Sequence, residues 1–148
     1  DAAVALWRQL QADHETLDDR YRISADADAR WATDFRTWTR SSAYRVWVAE
    51  APEAGLVGLL TALVAEPAPV YEGGHFVFVS DLFVDGLWRG RGLATALLDE
   101  ARIWAHEVGA REIRAGVLAA NARGRGFWDR QGAVDFNVTV AIPLHLED

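Results

Sequence analysis

The chain has 148 residues, of which 51% are hydrophobic and 25% are charged, a balance that predicts one globular domain over residues 1–148 and excludes a disordered chain. Its formal net charge of −7 disfavours a general nucleic-acid binder, because such proteins are usually basic. It contains no cysteine, which excludes disulfides, cysteine-ligated metals and a cysteine nucleophile.

The first half of the chain predicts two helices and an antiparallel pair of strands. The opening helix, with Asp1 as a possible cap, has residues at steps of three and four on one face: Val4, Trp7, Leu10 and His14. A second helix begins after Asp26 or Asp28 and carries three aromatic residues on one face: Trp31, Phe35 and Trp38. Residues 44–50 and 56–65 predict two strands, joined by a turn over 51–55 that contains Pro and Gly.

The second half of the chain predicts a parallel crossover. Residues 76–84 form a strongly apolar strand that is interrupted by Ser80 and Asp81. The next helix ends near Gly109 and has a single apolar stripe: Leu93, Leu97, Ala101, Trp104 and Val108. A strand over 112–118, a short helix over 123–131 and a last strand over 133–143 follow. The predicted fold is therefore α+β, with a mixed, mostly antiparallel central sheet, helices on both faces and one parallel βαβ crossover.

An Arg- and Gly-rich turn joins the apolar strand to the long helix, in the order Arg89, Gly90, Arg91, Gly92, Leu93 and Ala94. Glycine takes positive φ and lets a ligand approach the backbone, and the free N–H groups and dipole of a helix start attract an anion. A diphosphate suits this turn, and a tight turn with solvated arginines is the alternative. A dinucleotide-binding pattern lacks its third small residue here, and a Walker motif is excluded because the chain has no lysine.

A longer ordered series of motifs surrounds this turn: Asp81-Leu82-Phe83-Val84, the Arg-Gly turn, Leu97-Leu98, Gly109, Asn121, Phe127-Trp128 and Gly132-Ala133. Over roughly residues 44–143 this series resembles the GNAT superfamily of N-acetyltransferases. The resemblance implies the GNAT fold, with acetyl-CoA bound as cosubstrate in a V-shaped opening between strands 76–84 and 112–118. It implies no metal.

The resemblance also assigns residues to the cosubstrate. Backbone groups of residues 82–84 would pair with the pantetheine arm as a neighbouring strand does, and residues 89–94 with Thr95 would take the pyrophosphate. Asn121 would bond the pantetheine chain, although a helix N-cap before Arg123 is an equally compatible role. The predicted cofactor-binding residues are Leu82, Phe83, Val84, Arg89, Gly90, Arg91, Gly92, Leu93, Ala94, Thr95, Asn121, Phe127 and Trp128.

The implied reaction is the transfer of an acetyl group to the amine of an unidentified small molecule or peptide, directly in a ternary complex because no cysteine can carry the acyl group. Asp81 is the predicted general base, since it is a charge in an apolar strand beside the acetyl position. A structural Asp that bonds backbone or a substrate ammonium is the alternative, and His75 is a weaker candidate base. The backbone N–H near Val84 would stabilise the oxyanion.

Trp128 departs from the superfamily pattern, which commonly has Tyr at this position and thus a phenol that protonates the departing thiolate. This departure supports a rival interpretation, a catalytically idle acyl-CoA-binding protein of the same fold. A second rival, an RNA-binding module built from the Arg-Gly runs 89–92 and 123–126, is disfavoured by the acidic charge.

The remaining expectations concern the other side chains, location and assembly. Three histidines are expected on solvated faces or at the sheet end: His14, His106 and His145. Four tryptophans are expected mostly in the core, with one or two near the acceptor pocket: Trp31, Trp38, Trp47 and Trp88. Without a signal peptide or membrane span the protein is expected to be cytoplasmic, with no membrane partner. The apolar segment 138–144 favours a homodimer through edge pairing.

Overall fold

The computed structural model describes residues 2–144, so the predicted cap Asp1 and His145 lie outside the described residues. Four helices are present, with these bounds: α1 Ala2–Leu17, α2 Ala27–Trp38, α3 Leu93–Glu107 and α4 Ala122–Arg130. Four strands accompany them: β1 Tyr44–Ala51, β2 Gly55–Ala65, β3 Phe76–Val84 and β4 Ile113–Ala115. The predicted order of helices and strands is confirmed from the first residue described to the end of α4.

The four strands form one mixed sheet in the order β1-β2-β3-β4. The pairs β1–β2 and β2–β3 are antiparallel, and β3–β4 is parallel because α3 carries the chain across between them. The predicted fold class, a mostly antiparallel sheet with one βαβ crossover, is therefore confirmed.

Helices cover both faces of this sheet, because β2 is apolar on both sides. Leu60 faces a core cluster with α3, whose buried residues include Leu98 and Trp104. Leu59 faces the opposite cluster, which packs α1 and α2 through Trp31. Both leucines are fully buried, and burial of such a side chain contributes about 1.5–3 kcal/mol. The sheet therefore holds α1 and the start of α3 in fixed places on either side of β3.

An aromatic stack joins the first two helices. The rings of Trp7 and Trp31 lie 5.4 Å apart between centroids, and Phe35 stacks 5.0 Å from Trp31. On the sheet, α1 contacts both β2 and β3. None of the helices in residues 2–144 combines the length and the apolarity needed to cross a membrane.

Two predicted strands differ from the structure. The strand expected over 112–118 is paired only at residues 113–115, because β3 bends away after Val79 and leaves the later residues without a neighbour. The strand expected over 133–143 is absent, and its alternating apolar side chains are open to solvent. Alternation is a property of the segment, whereas a strand also needs an edge to pair with, and this segment pairs with none in the described chain.

Candidate active site

A β-bulge at Ser80 opens the sheet. Thr61 pairs with Asp81 and Ala62 pairs with Val79, so Ser80 has no partner on β2. A bulge bends its strand and increases the local twist, and the parallel pairing with β4 stops here, at Val79 opposite Ala115. Residues 81–84 and 116–118 consequently diverge as the two arms of a V.

The space between these arms is a cleft of about 660 Å³. Its walls come from β3 at 79–84, from residues 115–118, and from the starts of α3 and α4. The C-terminal half of α1 forms one end, through Leu10, Asp13, His14 and Leu17. The V-shaped opening predicted between strands 76–84 and 112–118 is therefore present, and α1 closes the end of it next to Asp81.

The turn before α3 presents unpaired backbone donors to this cleft. Gly90 and Gly92 have φ of +79° and +78°, which only glycine adopts without strain. The first helical hydrogen bond runs from the N–H of Ala96 to the carbonyl of Gly92. The N–H groups of Leu93, Ala94 and Thr95 therefore have no acceptor among residues 2–144. Free donors at the N-terminus of a helix attract an anion.

The two arginines of this turn are already engaged. Arg89 donates from Nε to the carbonyl of Val84 at 3.1 Å and pairs with Asp13 on α1 at 3.1 Å. The guanidinium of Arg91 stacks 4.3 Å above the ring of Trp88, and Arg91 does not line the cleft. Arg89 thus ties α1 to the turn, whereas the backbone N–H groups of residues 93–95 remain without a partner in the described chain.

A second basic group faces the cleft from α4. Arg123 and Arg130 line it, and neither forms an ion pair within the described chain. The basic run that contains Arg123 is visible in the sequence, but no role toward the cofactor was predicted for it. Its position at the start of a helix could have predicted its place on the cleft, as it did for the turn before α3.

Asn121 caps α4, as the alternative interpretation predicted. Its Oδ1 accepts a hydrogen bond from the N–H of Gly124 at 2.9 Å, and the residue lines the cleft. This cap also explains Gly124, which sequence analysis left without a role. A Cβ there would lie 2.5 Å from Asn121 Nδ2 and 3.0 Å from Val117.

Phe127 and Trp128 line the cleft from α4. Their rings meet edge to face, with centroids 5.2 Å apart, and both pack partly buried against the α3-side core. The Thr95 hydroxyl, also on the cleft wall, accepts from Gln131 Nε2 at 3.1 Å. All the predicted cofactor-binding residues except Arg91 therefore line this one cleft.

Asp81 places a largely buried carboxylate in the cleft wall. Thr61 donates its hydroxyl to Asp81 Oδ2 at 2.7 Å. Burial raises the pKa of Asp81, while the Thr61 hydrogen bond, the Trp31 indole and the charge of His14 each lower that pKa in part. The indole Nε1 of Trp31 is buried and makes no well-formed hydrogen bond in residues 2–144, so its effect on Asp81 is one of proximity. A raised pKa makes the carboxylate a stronger base.

His14 is the residue that sequence analysis placed wrongly. It was expected on a solvated face, but it is half-buried on α1, lines the cleft and interacts electrostatically with Asp81. Burial lowers the pKa of His14, while Asp81 and Asp13 raise it in part. His14 lies four residues after Leu10 on the same face of α1. This spacing could have predicted that the His14 side chain faces inward.

The other candidate base lies elsewhere. His75 precedes β3 at the end away from the cleft and its Nε2 is bonded to the carbonyl of Val108, and it does not line the cleft. Ser80 is exposed within the bulge and does line it. Among the four tryptophans expected mostly in the core, only Trp31 is buried. The other three are half-buried against the two core clusters, and Trp88 also lines the cleft: Trp38, Trp47 and Trp88.

The family of this chain follows from comparison with known proteins. The family model described as the Acetyltransferase (GNAT) family matches residues 5–133, so the chain belongs to that family. The L-2,4-diaminobutyric acid acetyltransferase of Streptomyces avermitilis is 35% identical over 95 residues, which are 64% of this chain. These residues cover 44% of that relative, so the chain spans less than half its length.

Solved structures share the fold. A tetramutant of the BH1408 protein from Bacillus halodurans superposes with a TM-score of 0.83 at 18% identity, over 95% of this chain and 91% of that one. The aminoglycoside N-acetyltransferase AAC(6')-Iy, solved in complex with CoA, gives a TM-score of 0.72 at 17% identity, over 98% of this chain and 90% of that one. At 17–18% identity, these similarities establish a shared fold and nothing further.

Proposed function

We propose that this protein is an N-acetyltransferase that moves the acetyl group of acetyl-CoA to the amine of a small molecule or peptide, directly in a ternary complex. The observation that carries the proposal is the continuity of the cleft. It joins the free N–H groups at the start of α3 to the carboxylate of Asp81 along an arm of β3 that β4 does not pair. Membership of the acetyltransferase family supports the same reaction.

The residues present fit acetyl-CoA. The N–H groups of residues 93–95, with Arg123 from α4, would hold the pyrophosphate. The unpaired edge of β3 at residues 82–84 would take the pantetheine arm in the manner of an added strand, with the Asn121 amide as a further donor. Bound there, acetyl-CoA supplies an activated thioester at the apex of the V.

Asp81 is proposed as the base, because an ammonium has no lone pair and must lose a proton before it attacks. Its carboxylate accepts that proton directly or through a water, while Thr61 fixes the orientation of one oxygen. The N–H of Val84, farther along the same arm, is proposed to stabilise the developing oxyanion. His14 faces Asp81 from α1 and affects the charge of the site through it.

The acceptor is proposed to be a cationic primary amine that enters beside the C-terminal half of α1. Asp81 gives that end of the cleft an acidic group, with His14 and the Arg89-paired Asp13 beside it, and an acidic group favours an ammonium over an anion. The acetyltransferase relative is named for L-2,4-diaminobutyric acid, and this diamine is the first acceptor we would test.

A second candidate function is acyl-CoA binding without transfer. The observation in its favour is Trp128, whose indole N–H is no acid where the superfamily pattern commonly has a phenol. In that case acetyl-CoA would bind and no acceptor would be acetylated.

Two measurements on the purified protein separate these functions. Acetyl-CoA at a hundredfold excess over its Kd should stabilise the fold by about 2.7 kcal/mol, measured as a thermal shift. Thiol release from acetyl-CoA is then followed with L-2,4-diaminobutyric acid, a lysine-containing peptide and an aminoglycoside as acceptors. Acceptor-dependent thiol release establishes the transferase, whereas a thermal shift without release across a broad amine panel indicates the idle binder. The absence of a shift at millimolar acetyl-CoA would reject both.

A further inference from the structure

One buried donor on the α1–α2 side of the sheet lacks a partner. The indole Nε1 of Trp31, on α2, is buried and forms no hydrogen bond within residues 2–144. A buried N–H that stays unpaired destabilises a fold, and such groups are rare in native proteins. Phenylalanine would fill much of the same space without this cost. The N–H of Trp31 therefore calls for a role of its own.

The register of the strands places this ring beside Asp81. Leu59 on β2 pairs with Phe83 on β3, and two residues along Thr61 pairs with Asp81. Side chains two residues apart on a strand point to the same face, so both pairs face α1 and α2. Leu59 and Phe83 belong to the core cluster that contains Trp31, and Thr61 and Asp81 are the next pair along. The Trp31 indole reaches the Asp81 carboxylate and lowers the pKa of that carboxyl.

Neighbouring rings hold the indole in place. Trp31 stacks on Trp7 at 5.4 Å and on Phe35 at 5.0 Å between ring centroids. Trp38 meets it edge to face at 6.0 Å. A buried ring packed against three others has little freedom to change rotamer, whereas Asp81 lines the open cleft and turns about χ2, a soft torsion in aspartate. Of the two groups, the indole is therefore the fixed one.

We propose that Trp31 is a positioning residue of the active site, whose indole N–H donates a hydrogen bond to the ionised carboxylate of Asp81. The inference rests on the proposed function, in which Asp81 is the general base. Hydrogen bonds to catalytic groups are often long or poorly aligned in the free enzyme, and a rotation of the carboxylate about χ2 would align an oxygen with the indole N–H. Thr61 already donates to Oδ2 at 2.7 Å. The base is then held by two donors from two elements, β2 and α2.

The two donors favour different protonation states. A hydroxyl both donates and accepts, so Thr61 can bond Asp81 in either state, whereas an indole N–H only donates. The Trp31 bond is therefore made with the ionised carboxylate, and it weakens when an oxygen of Asp81 takes the proton of the substrate ammonium. Burial by itself favours the protonated carboxyl. Trp31 opposes that effect and favours return of the carboxylate once the proton has passed to water.

A pH effect of Trp31 must be separated from that of His14. His14 faces Asp81 from α1 and lowers its pKa, and Asp13 acts on His14 in turn. Asp13 and Arg89, the other charged residues at this end of the cleft, pair with each other at 3.1 Å, and the two arginines of α4 line another wall. The groups that reach Asp81 from β2 and α2 carry no charge. The test therefore includes a His14→Gln background.

The first test measures the Asp81 titration directly, without turnover. NMR follows the carboxyl carbon of Asp81 against pH in the parent, in Trp31→Phe and in Trp38→Phe, after near-UV circular dichroism has shown that the variants fold. We expect the midpoint in Trp31→Phe to rise by about one pH unit, a tenfold change in the protonation equilibrium, because the ionised form has lost a donor. In Trp38→Phe it should move by less than about 0.3 unit, since Trp38 packs on the same ring without acting on Asp81.

The same rise should appear when both the parent and Trp31→Phe also carry His14→Gln, because it comes from the indole N–H. Absence of a rise in Trp31→Phe, an equal rise in Trp38→Phe, or a rise that disappears with His14→Gln would overturn the proposal.

A second measurement needs no substitution of Trp31. In the parent, the indole proton of Trp31 should move downfield as Asp81 ionises, with the same midpoint as the carboxyl carbon. That movement should be absent in Asp81→Asn. An indole proton that does not titrate with Asp81 would contradict the proposal, even if Trp31→Phe does not fold.

The third measurement links the contact to turnover, with the acceptor that thiol release identifies. The acid limb of kcat/KM in Trp31→Phe should move to higher pH by the same interval as the NMR midpoint, and above that limb kcat/KM should stay within about threefold of the parent. A reduction by one factor at every pH would show that Trp31 acts through packing alone, which overturns the positioning role. Failure of the proposed function has a different signature: Asp81→Asn would turn over normally while the NMR midpoints of the parent and Trp31→Phe still differ. That result would reject the base and with it the catalytic role of Trp31.

Discussion

The two ends of the cleft are built in different ways. The end at the start of α3 is made of backbone: two glycines at positive φ and three unpaired N–H groups contributed by one short stretch of chain. The end at α1 is made of side chains from distant elements, with Asp81 from β3, Thr61 from β2 and His14 from α1. One end is a local conformation, and the other exists only because the sheet brings three elements together.

This difference predicts how each end responds to substitution. A backbone site depends on conformation, so it is disturbed where a side chain is added to a glycine and little disturbed by loss of a surface charge. A side-chain site depends on protonation, so it is disturbed by isosteric changes that keep the shape and remove the charge. Substitutions at four residues test this contrast, from the largest expected effect to the smallest.

Asp81→Asn should have the largest effect on catalysis. Removal of a general base lowers kcat/KM by about 10²–10⁴-fold, while acetyl-CoA affinity should stay nearly unchanged because the anion site lies at the other end of the cleft. The measurement is steady-state kinetics with a verified acceptor, alongside a binding titration. Asp85→Asn is the matched control, since Asp85 caps the turn after β3 and does not line the cleft.

The same variant should be more stable than the parent at neutral pH. Burial raises the pKa of Asp81 in the folded protein, so the folded state favours the protonated carboxyl. The stabilisation from that proton is fully present below the unfolded pKa and is lost as the pH rises through the folded pKa. Asn carries no charge that must be buried. Chemical denaturation at pH 7 should therefore give a higher free energy of unfolding for the variant than for the parent. Normal turnover by Asp81→Asn would remove Asp81 from the role of base, and a variant less stable than the parent would contradict the predicted gain in stability.

Gly92→Asp should weaken acetyl-CoA binding by at least about tenfold, or 1.4 kcal/mol. The substitution puts a side chain at a φ of +78° and a negative charge at the N-terminus of α3. Gly109→Asp is the matched control, because Gly109 has a φ of +71° just beyond the opposite end of the same helix. Both variants should lose stability, and only Gly92→Asp should lose affinity in isothermal titration. An unchanged Kd in folded Gly92→Asp would move the phosphate site elsewhere.

The contrast between the two ends also explains what the sequence could predict. The turn was predicted as a phosphate site because its glycines, its arginines and the helix after it are contiguous. Arg89 was predicted to bind the cofactor, but the sequence did not show that its guanidinium bonds Asp13 and Val84, because α1 and β3 bring those partners to it. Local conformation was therefore predictable from the sequence, whereas the commitments of individual side chains were not.

His14 and residues 133–143 also show that a local sequence pattern does not give tertiary neighbours. The helical spacing of His14 gave its face, but its position opposite Asp81 depends on how α1 crosses the sheet, which no local pattern records. The alternation in residues 133–143 predicted a strand that the structure does not contain, because the partner edge that a strand needs is not encoded in the segment itself. Gly124 is understood only once Asn121 and Val117 are seen against it.

His14→Gln should have a moderate effect that depends on pH. The charge of His14 lowers the pKa of Asp81, so without it the acid limb of the kcat/KM profile should shift to higher pH. On that limb the loss should be about fivefold or less, since a half-exposed charge pair is worth up to about 1 kcal/mol. Asp13→Asn is a useful comparison, because it removes a charge near His14 while leaving Asp81 in place. If kcat/KM of His14→Gln is reduced by the same factor at every pH, His14 contacts the substrate instead.

Trp128→Phe should have the smallest effect, about threefold or less in kcat/KM, or under about 0.7 kcal/mol. An indole N–H cannot protonate the departing thiolate, so the substitution removes no acid and Phe keeps the edge-to-face packing on Phe127. A thiol has a pKa near 8.5 in water, and the N-terminus of α4, which lines the cleft, would lower the pKa of a thiol bound beside it. The sulfur would then leave as the thiolate. Trp128→Tyr provides the sharper comparison, because it restores a phenol at the same position. If proton transfer to sulfur does not limit turnover, Trp128→Tyr should gain nothing over the parent. A gain above about tenfold in kcat from Trp128→Tyr would show that protonation of the leaving group limits turnover. If Trp128→Phe loses most of its turnover and Asp81→Asn keeps the turnover of the parent, the roles assigned to the two residues are wrong.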